Sequence, residues 1–407
     1  MKNVIVGQSG GPSSVINSSL AGVYCRAKAM GADKVYGMRN GIQGFLQESL
    51  VDLDTVLGSN ELVKLLRKTP AAFLGSCRFK LPDPEKAPAV FEKIFELLNK
   101  YEIKAFIYIG GNDSMDTIRK LSDYGQSIGS GICFVGAPKT IDNDLAEVDH
   151  TPGYGSAAKF IAAMTKEAIR DEMVYSTNKT IYIMEIMGRN AGWLTAASAL
   201  ARGEDCDGPD LIYLPEVPFD LAAFRKKVDD LLDVKNNLMI AVSEGIHDAN
   251  GTYICEYVST EKLVDAFGHK QMGGTASYLC SYCEVEFGCK TRAIEFSTLQ
   301  RCAAHFASQT DVNEAFQSGD KAVEAALSGR TGLMATLLRA NDEPYVCEIG
   351  LADVHHISNV ERLVPLEWIT EDGSQISDDF IRYALPLIQG ESQPVIENGL
   401  PKHLVLK

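Results

Sequence analysis

The stretch Ile132-Cys-Phe-Val-Gly-Ala-Pro-Lys-Thr-Ile-Asp-Asn-Asp144 joins an apolar run to a loop dense in charge. Ile132 to Gly136 reads as a short buried strand, and in an open α/β sheet ligands sit beyond the carboxyl ends of such strands. That end carries Lys139, Thr140 and two acids set two apart, Asp142 and Asp144. One carboxylate in such a place can take a proton from a hydroxyl, while a second holds a metal-bound phosphate. Asp-Asn-Asp is equally the composition of an Asx turn. The surrounding chain has to decide between the two.

Upstream, Val4-Ile-Val-Gly-Gln-Ser-Gly-Gly-Pro-Ser-Ser-Val-Ile-Asn17 reads as a strand, a glycine turn and a helix start. Pro12 suits the first turn, and Ser13 or Ser14 suits the cap. Gly10 and Gly11 let the backbone approach an anion, with helix N–H groups aimed at it. Ala71 to Lys80 reads as a strand end that delivers Ser76, Arg78 and Lys80 to one place, a cation cluster fit for an anion. A second strand-to-glycine turn follows at Lys104 to Ser114. Ala105 to Ile109 is apolar on both faces, as in a parallel sheet covered by helices. Gly110 and Gly111 clear space there, Asn112, Asp113 and Ser114 face the same crevice as Asp142, and Ser114 also suits the cap of the next helix. Three carboxylates beside glycine turns make up the composition of a magnesium-dependent phosphoryl-transfer site.

Downstream the α/β pattern restarts, with a helix over Ser156 to Glu172 and a strand over Ile181 to Ile186. Met187-Gly-Arg189 follows that strand, and Glu244 follows another at Leu238 to Ser243. Arginine in such a position suits a phosphate and glutamate suits sugar hydroxyls. Thr291 to Arg301 sets Arg292 and Arg301 around a further strand, and a helix runs from Val312 to Leu327. The stretch carrying Pro365, Pro386 and Pro394 mixes short signals, and no chemistry is read there.

With 407 residues, 45% of them hydrophobic and 23% charged, the chain is that of a globular protein with two domains. No linker or repeat separates them, so they interleave. The net charge of −15 argues against a nucleic-acid partner. No apolar run approaches the roughly 18 residues of a membrane helix, and the N-terminus enters a strand directly, so neither a span nor a secretory signal is expected. Ten scattered cysteines fit free thiols in a cytoplasmic protein. Cys280, Cys283 and Cys289 lack a fourth zinc ligand nearby, and Thr275 to Phe287 looks helical.

Gly110-Gly-Asn-Asp-Ser114, Pro138-Lys-Thr-Ile-Asp-Asn-Asp144, Met187-Gly-Arg189, Ser243-Glu-Gly245 and Thr291-Arg292 with Gln300-Arg301 resemble, in order and spacing, the motifs of the phosphofructokinase family. The resemblance runs from Val4 to about Met334. It implies two Rossmann-like α/β domains with mostly parallel sheets and an active-site cleft between them. Residues 1–153 with about 300–350 would bind the phosphoryl donor, and 154–299 with about 351–407 the sugar phosphate. The implied reaction is reversible, magnesium-dependent phosphorylation of the 1-hydroxyl of fructose 6-phosphate, a step of glycolysis and gluconeogenesis.

Carried over by position, Asp142 is the base, with Thr140 and Ile141 beside it on the acceptor. Met187, Gly188, Arg189 and Glu244 line the sugar, Thr298, Leu299, Gln300 and Arg301 lie by its phosphate, and Arg301 binds that group. Arg292 matches an arginine supplied across a subunit interface, which implies a homodimer or homotetramer. Gly10, Gly11 and Arg78 match the donor-phosphate site, and Asp144 serves metal or phosphate.

Asp113 and Lys139 select the donor, because the ATP-using members carry glycine at both positions and the pyrophosphate-using members resemble this chain. A carboxylate at Asp113 would stand where the α-phosphate of a nucleotide lies. Like charges about 4 Å apart repel by about 4 kcal/mol at an effective dielectric near 20, roughly a thousandfold in affinity. Lys139 can neutralise the transferred group. Pyrophosphate is therefore the expected donor. An ATP-dependent phosphofructokinase, a sedoheptulose 7-phosphate kinase and a non-catalytic sugar-phosphate sensor are the alternatives.

This chain departs from the family in several places. Asn112 stands where many members place a magnesium-associated aspartate, and its amide oxygen is the weaker ligand. Thr180 replaces an arginine, Thr298 replaces a histidine, and Cys302-Ala-Ala-His305 replaces a double glycine.

Overall fold

The computed structural model describes residues 2–174, 177–257, 273–358 and 360–406. Among the described residues eleven strands build two main sheets, and Ile396–Glu397 pairs with Leu400–Pro401 in a separate short hairpin. The first holds β1 (Asn3–Gln8), β2 (Val35–Met38), β3 (Leu50–Asp52), β4 (Ile103–Gly110), β5 (Cys133–Pro138), β10 (Leu333–Asp342) and β11 (Tyr345–Asp353). The second holds β6 (Thr180–Ile186), β7 (Leu211–Tyr213), β8 (Asn237–Ser243) and β9 (Lys290–Glu295).

The seven-stranded sheet has the order β11-β10-β5-β4-β1-β2-β3 and the four-stranded sheet β7-β8-β6-β9. Pairing is parallel throughout the second sheet. In the first, only the β2/β3 and β10/β11 edges are antiparallel. This is the mostly parallel, two-sheet α/β fold expected. Strands β1, β6 and β8 are apolar on both faces because helices cover both sides; every described residue of β1 and β6 is buried.

The helices read over Ser156 to Glu172, Thr275 to Phe287 and Val312 to Leu327 form at Tyr154–Glu172, Thr275–Phe287 and Gln309–Leu327, within three residues of those limits, and further helices run over Ile16–Ala29, Pro88–Lys100 and Leu221–Leu232. Ser13, rather than Ser14, satisfies the first of them, its Oγ accepting from the Ile16 amide at 3.1 Å. Helices Ile16–Ala29 and Gln309–Leu327 pack through paired glycines. A Cβ on Gly22 would lie 2.0 Å from the Phe316 carbonyl oxygen, and one on Gly319 2.0 Å from that of Ser19. Gln309–Leu327 also packs on β4 and β5, so this late helix covers the sheet that carries the first two glycine turns.

Two expectations fail. Ala71 to Lys80 is not a strand, since no ladder forms there. Phe73 and Leu74 are buried, but their amides donate to side chains, Phe73 to Asn17 Oδ1 and Leu74 to Gln8 Oε1, both at 2.9 Å. Buried polar side chains replace a neighbouring strand. Ser114 does not cap its helix either: the helix starts at Asn112 after Gly111, so Ser114 sits inside the first turn.

Candidate active site

Both sheets turn the carboxyl ends of their strands toward one cleft of about 710 Å³. From the first sheet come Gly10 and Gly11 after β1, Gly111 to Ser114 after β4, and Lys139 to Asp142 with Asp144 after β5. The second sheet contributes Met187 to Ala191 after β6 and Glu244 after β8. Arg78, from the irregular segment, and Arg301 complete the cationic part of the wall. Thus fifteen of the nineteen anticipated site residues share one cavity: Gly10, Gly11, Arg78, Asn112, Asp113, Lys139, Thr140, Ile141, Asp142, Asp144, Met187, Gly188, Arg189, Glu244 and Arg301. The count matters less than the convergence, because all but Arg78 and Arg301 arrive from five strand ends.

Lys139 stands behind the Gly10-Gly11 turn. It is buried, and its Nζ donates to the Gly11 carbonyl at 2.7 Å. A Cβ on Gly10 would come within 3.2 Å of that Nζ, and one on Gly11 within 3.2 Å of Arg301 Nη1. Glycine is what lets two cations lean on the turn. Burial lowers the Lys139 pKa to about 8, with Asp142 and Asp144 opposing the shift and Arg301 adding to it. Lys80 approaches the Asp113 carboxylate at 3.9 Å on the outer rim.

The two acids differ. Asp142 is exposed to the cleft and is oriented by Thr140, whose Oγ1 donates to Asp142 Oδ2 at 3.1 Å and accepts from the Asp142 amide at 3.0 Å. The local turn contact is therefore made by a threonine hydroxyl and not by a side chain of Asp142-Asn143-Asp144. Burial pushes the Asp144 carboxyl up, and the charges of Asp142 and Glu361 add to that rise. Across the cleft, burial raises Glu244 to about 7, with the Gly188 amide donating to it at 3.5 Å and opposing the rise.

Four anticipated residues lie outside the cavity lining. Arg292, Thr298 and Leu299 are exposed, and the Arg292 guanidinium lies 5.5 Å over the Tyr182 ring. Gln300 is buried and acts behind the wall, its Oε1 accepting from the Met187 amide at 3.3 Å. Conversely, Glu361 lines the cavity, although the late chain held no legible chemistry. Both its carboxylate oxygens accept from Asn190 Nδ2, at 3.0 and 3.1 Å. Asn112 is tied to the same segment through its Nδ2, which donates to the Val360 carbonyl at 3.0 Å. Only the fold reveals these partners, which are more than 170 residues apart in sequence.

A cleft lined with glycine turns, three buried or half-buried cations and several acids, at the strand ends of two parallel sheets, defines a phosphoryl-transfer protein of the doubly wound α/β class. Residues 3–325 match the family model described as Phosphofructokinase. The chain belongs to the phosphofructokinase family. It is 41% identical to the pyrophosphate–fructose 6-phosphate 1-phosphotransferase of Halomonas elongata, over 98% of this chain and 95% of that one. A protein of the same name from Xanthomonas campestris is 40% identical, over 100% and 96%. The crystal structure of the pyrophosphate-dependent phosphofructokinase from Nitrosospira multiformis superposes with a TM-score of 0.90 at 37% identity, covering 100% of this chain and 96% of that one.

Proposed function

We propose that this protein transfers a phosphoryl group from pyrophosphate to the 1-hydroxyl of fructose 6-phosphate, giving fructose 1,6-bisphosphate and phosphate. The observation that carries the reading is Lys139, held between the Gly10-Gly11 turn and the Asp142/Asp144 pair, with Asp113 on the same wall. The relatives that bear the pyrophosphate-dependent name support it. Residues 1–153 with about 300–350 form the donor half in this reading, and 154–299 with about 351–407 the sugar half. The return of β10 and β11 to the first sheet supports that division.

Asp142 accepts the proton of the attacking hydroxyl, and Thr140 holds its carboxylate in line. Lys139 neutralises charge on the transferred group and on the leaving phosphate. Arg78 and the Gly10-Gly11 backbone hold the donor. Glu244, Gly188 and Met187 take the sugar, while Arg189 and Arg301 face its charged groups. Ile141 packs behind the acid, and Gln300 positions the Met187 backbone.

Asp113, Asp144, Glu361 and the amide of Asn112 offer hard oxygen ligands along one cleft, and the Asp144 carboxyl is raised first by burial and then by the charge of Asp142, a charge that a divalent cation would relieve. Oxygen ligands of this kind suit a magnesium ion that keeps water and phosphate oxygens in its shell, and which when bound would screen the phosphate charges. Arg292, Thr298 and Leu299 face outward, which supports a homodimer or homotetramer in which Arg292 serves a neighbouring copy. A cytoplasmic location accords with the free cysteines, and no described helix is long and apolar enough to cross a membrane.

The test is turnover with pyrophosphate, magnesium and fructose 6-phosphate, compared with sedoheptulose 7-phosphate as acceptor. Asp142→Asn should lower kcat by about 10²- to 10⁴-fold with little change in KM for the sugar. Sugar binding with no turnover from any donor would leave a sensor, and a higher kcat/KM on the larger ketose would reassign the acceptor.

A further inference from the structure

The segment from Glu361 to Val364 lies beyond the residues that match the family model, yet it touches both walls of the cleft. On the first wall its anchor is Asn143, which stands between the two active-site acids. Asn143 is fully buried and left-handed, with φ of 57°, a conformation that non-glycine residues adopt only when their surroundings hold them there.

Every polar group of Asn143 beyond its amide is held. Its Nδ2 donates to Tyr383 Oη at 2.9 Å, and its Oδ1 accepts from the Thr151 amide at 3.0 Å. Its carbonyl accepts from Arg362 Nε at 3.3 Å and Nη2 at 3.2 Å. The same guanidinium donates to the Val148 carbonyl at 3.0 Å, to the Asp149 carbonyl and to Tyr383 Oη at 3.1 Å. The Arg362 amide then donates to the Asp144 carbonyl at 2.7 Å. One residue thus fastens the main chain on both sides of the acid pair.

The other wall is fastened from the same few residues. Trp193 lies under the Arg362 guanidinium at 4.4 Å, and its Nε1 donates to the Arg362 carbonyl at 2.9 Å. Glu216 accepts from the Gly192 amide at 2.8 Å and from the Val364 amide at 3.0 Å. Gly192 and Trp193 directly continue the loop that carries Met187, Gly188 and Arg189. A planar fork that makes five hydrogen bonds to carbonyls and a hydroxyl cannot be reproduced by a lysine ammonium.

We propose that Arg362 is a positioning residue for the reaction: it fixes the Asp142-Asn143-Asp144 turn against the Met187–Arg189 wall, so that base, acceptor and donor meet in one geometry. The proposal rests on the phosphoryl-transfer reading of the cleft. It adds that reactive alignment in this chain depends on its late segment. Misplacement of reacting groups by about 1 Å can cost about 100-fold in rate without loss of ground-state binding.

Two variants test it. Arg362→Lys keeps charge and loses the fork. Tyr383→Phe keeps the ring packed on Trp193 and Trp368 but removes the hydroxyl that joins Asn143, Arg362 and Asp149. Fructose 6-phosphate sites are titrated by calorimetry, and turnover is expressed per titrated site, so unfolded molecules drop out of the comparison. The expected result is a fall in turnover per site of about 10- to 100-fold for Arg362→Lys and a smaller fall for Tyr383→Phe, with the sugar dissociation constant little changed. Hydrogen exchange at the amides of Asp142 to Thr151 should accelerate in both variants, while β1 and β4 remain protected. Unchanged turnover per site in both variants would overturn the proposal. If wild type itself shows no turnover, the reaction reading fails separately, and hydrogen exchange alone decides whether the clamp exists: unchanged protection at Asp142 to Thr151 would then refute it.

Discussion

Lys139 is buried behind the glycine turn, yet it must be charged to act on a phosphate. Desolvation lowers its pKa to about 8, so the free enzyme holds the ammonium below that pH and loses it above. The kcat/KM for pyrophosphate should therefore fall on an alkaline limb near pH 8. Lys139→Arg should remove that limb, whatever it does to the plateau, because a guanidinium stays charged. A limb that persists in the arginine variant would belong to another group. Lys139 and Asp142 were legible as cleft residues because their signal is local, a charged loop after an apolar strand. Glu361 was not. It follows no strand, and its partner Asn190 comes from a distant turn. His150 shows a related limit on a buried scale. Burial alone would lower its pKa, but hydrogen bonds to Asp149 and Glu314, both at 2.8 Å, raise it to about 9. Its nearness to Glu314 and Cys347, with ligand atoms within 4.8 Å, looks like a metal grouping, but a protonated imidazole and a thiol held near 12 disfavour one.

Elements with a strong period were read well. Thr275–Phe287 and Gln309–Leu327 fall where, or within three residues of where, the pattern placed them, since each has an apolar face and a glycine just beyond its end. Ala71 to Lys80 misled because an apolar run was taken for a strand. Burial of Phe73 and Leu74 is real, but Gln8 and Asn17 supply the hydrogen bonds, and no pattern within the segment announces that. The contact between helices Ile16–Ala29 and Gln309–Leu327 was likewise invisible, since Gly22 and Gly319 lie far apart in the chain. The backbones meet so closely there that a methyl has no room. Gly22→Ala should lower stability by about 1–3 kcal/mol, read as a reduced denaturation midpoint with the m-value preserved. Because this contact lies behind the sheet, turnover per folded molecule should be unaffected. A variant as stable as wild type would show that the helices can separate at no cost.

At the scale of the whole molecule, a chain of net charge −15 concentrates Arg78, Lys139, Arg189 and Arg301 in one cleft. Placing strand ends of two sheets face to face produces that concentration, and the spacing of the motifs reported it correctly. What composition could not report was that the late chain binds both walls of the cleft through long-range contacts. The donor depends on this assembled geometry, with Asp113 and Lys139 on the walls of the same cavity. The most direct test is a donor comparison on wild type and on Asp113→Gly combined with Lys139→Gly, with fructose 6-phosphate and magnesium held constant. Wild type should form fructose 1,6-bisphosphate with pyrophosphate and hardly at all with ATP, and the double variant should lose pyrophosphate activity while gaining some with ATP. Efficient turnover of ATP by wild type, or a donor preference unchanged by the double substitution, would contradict the account.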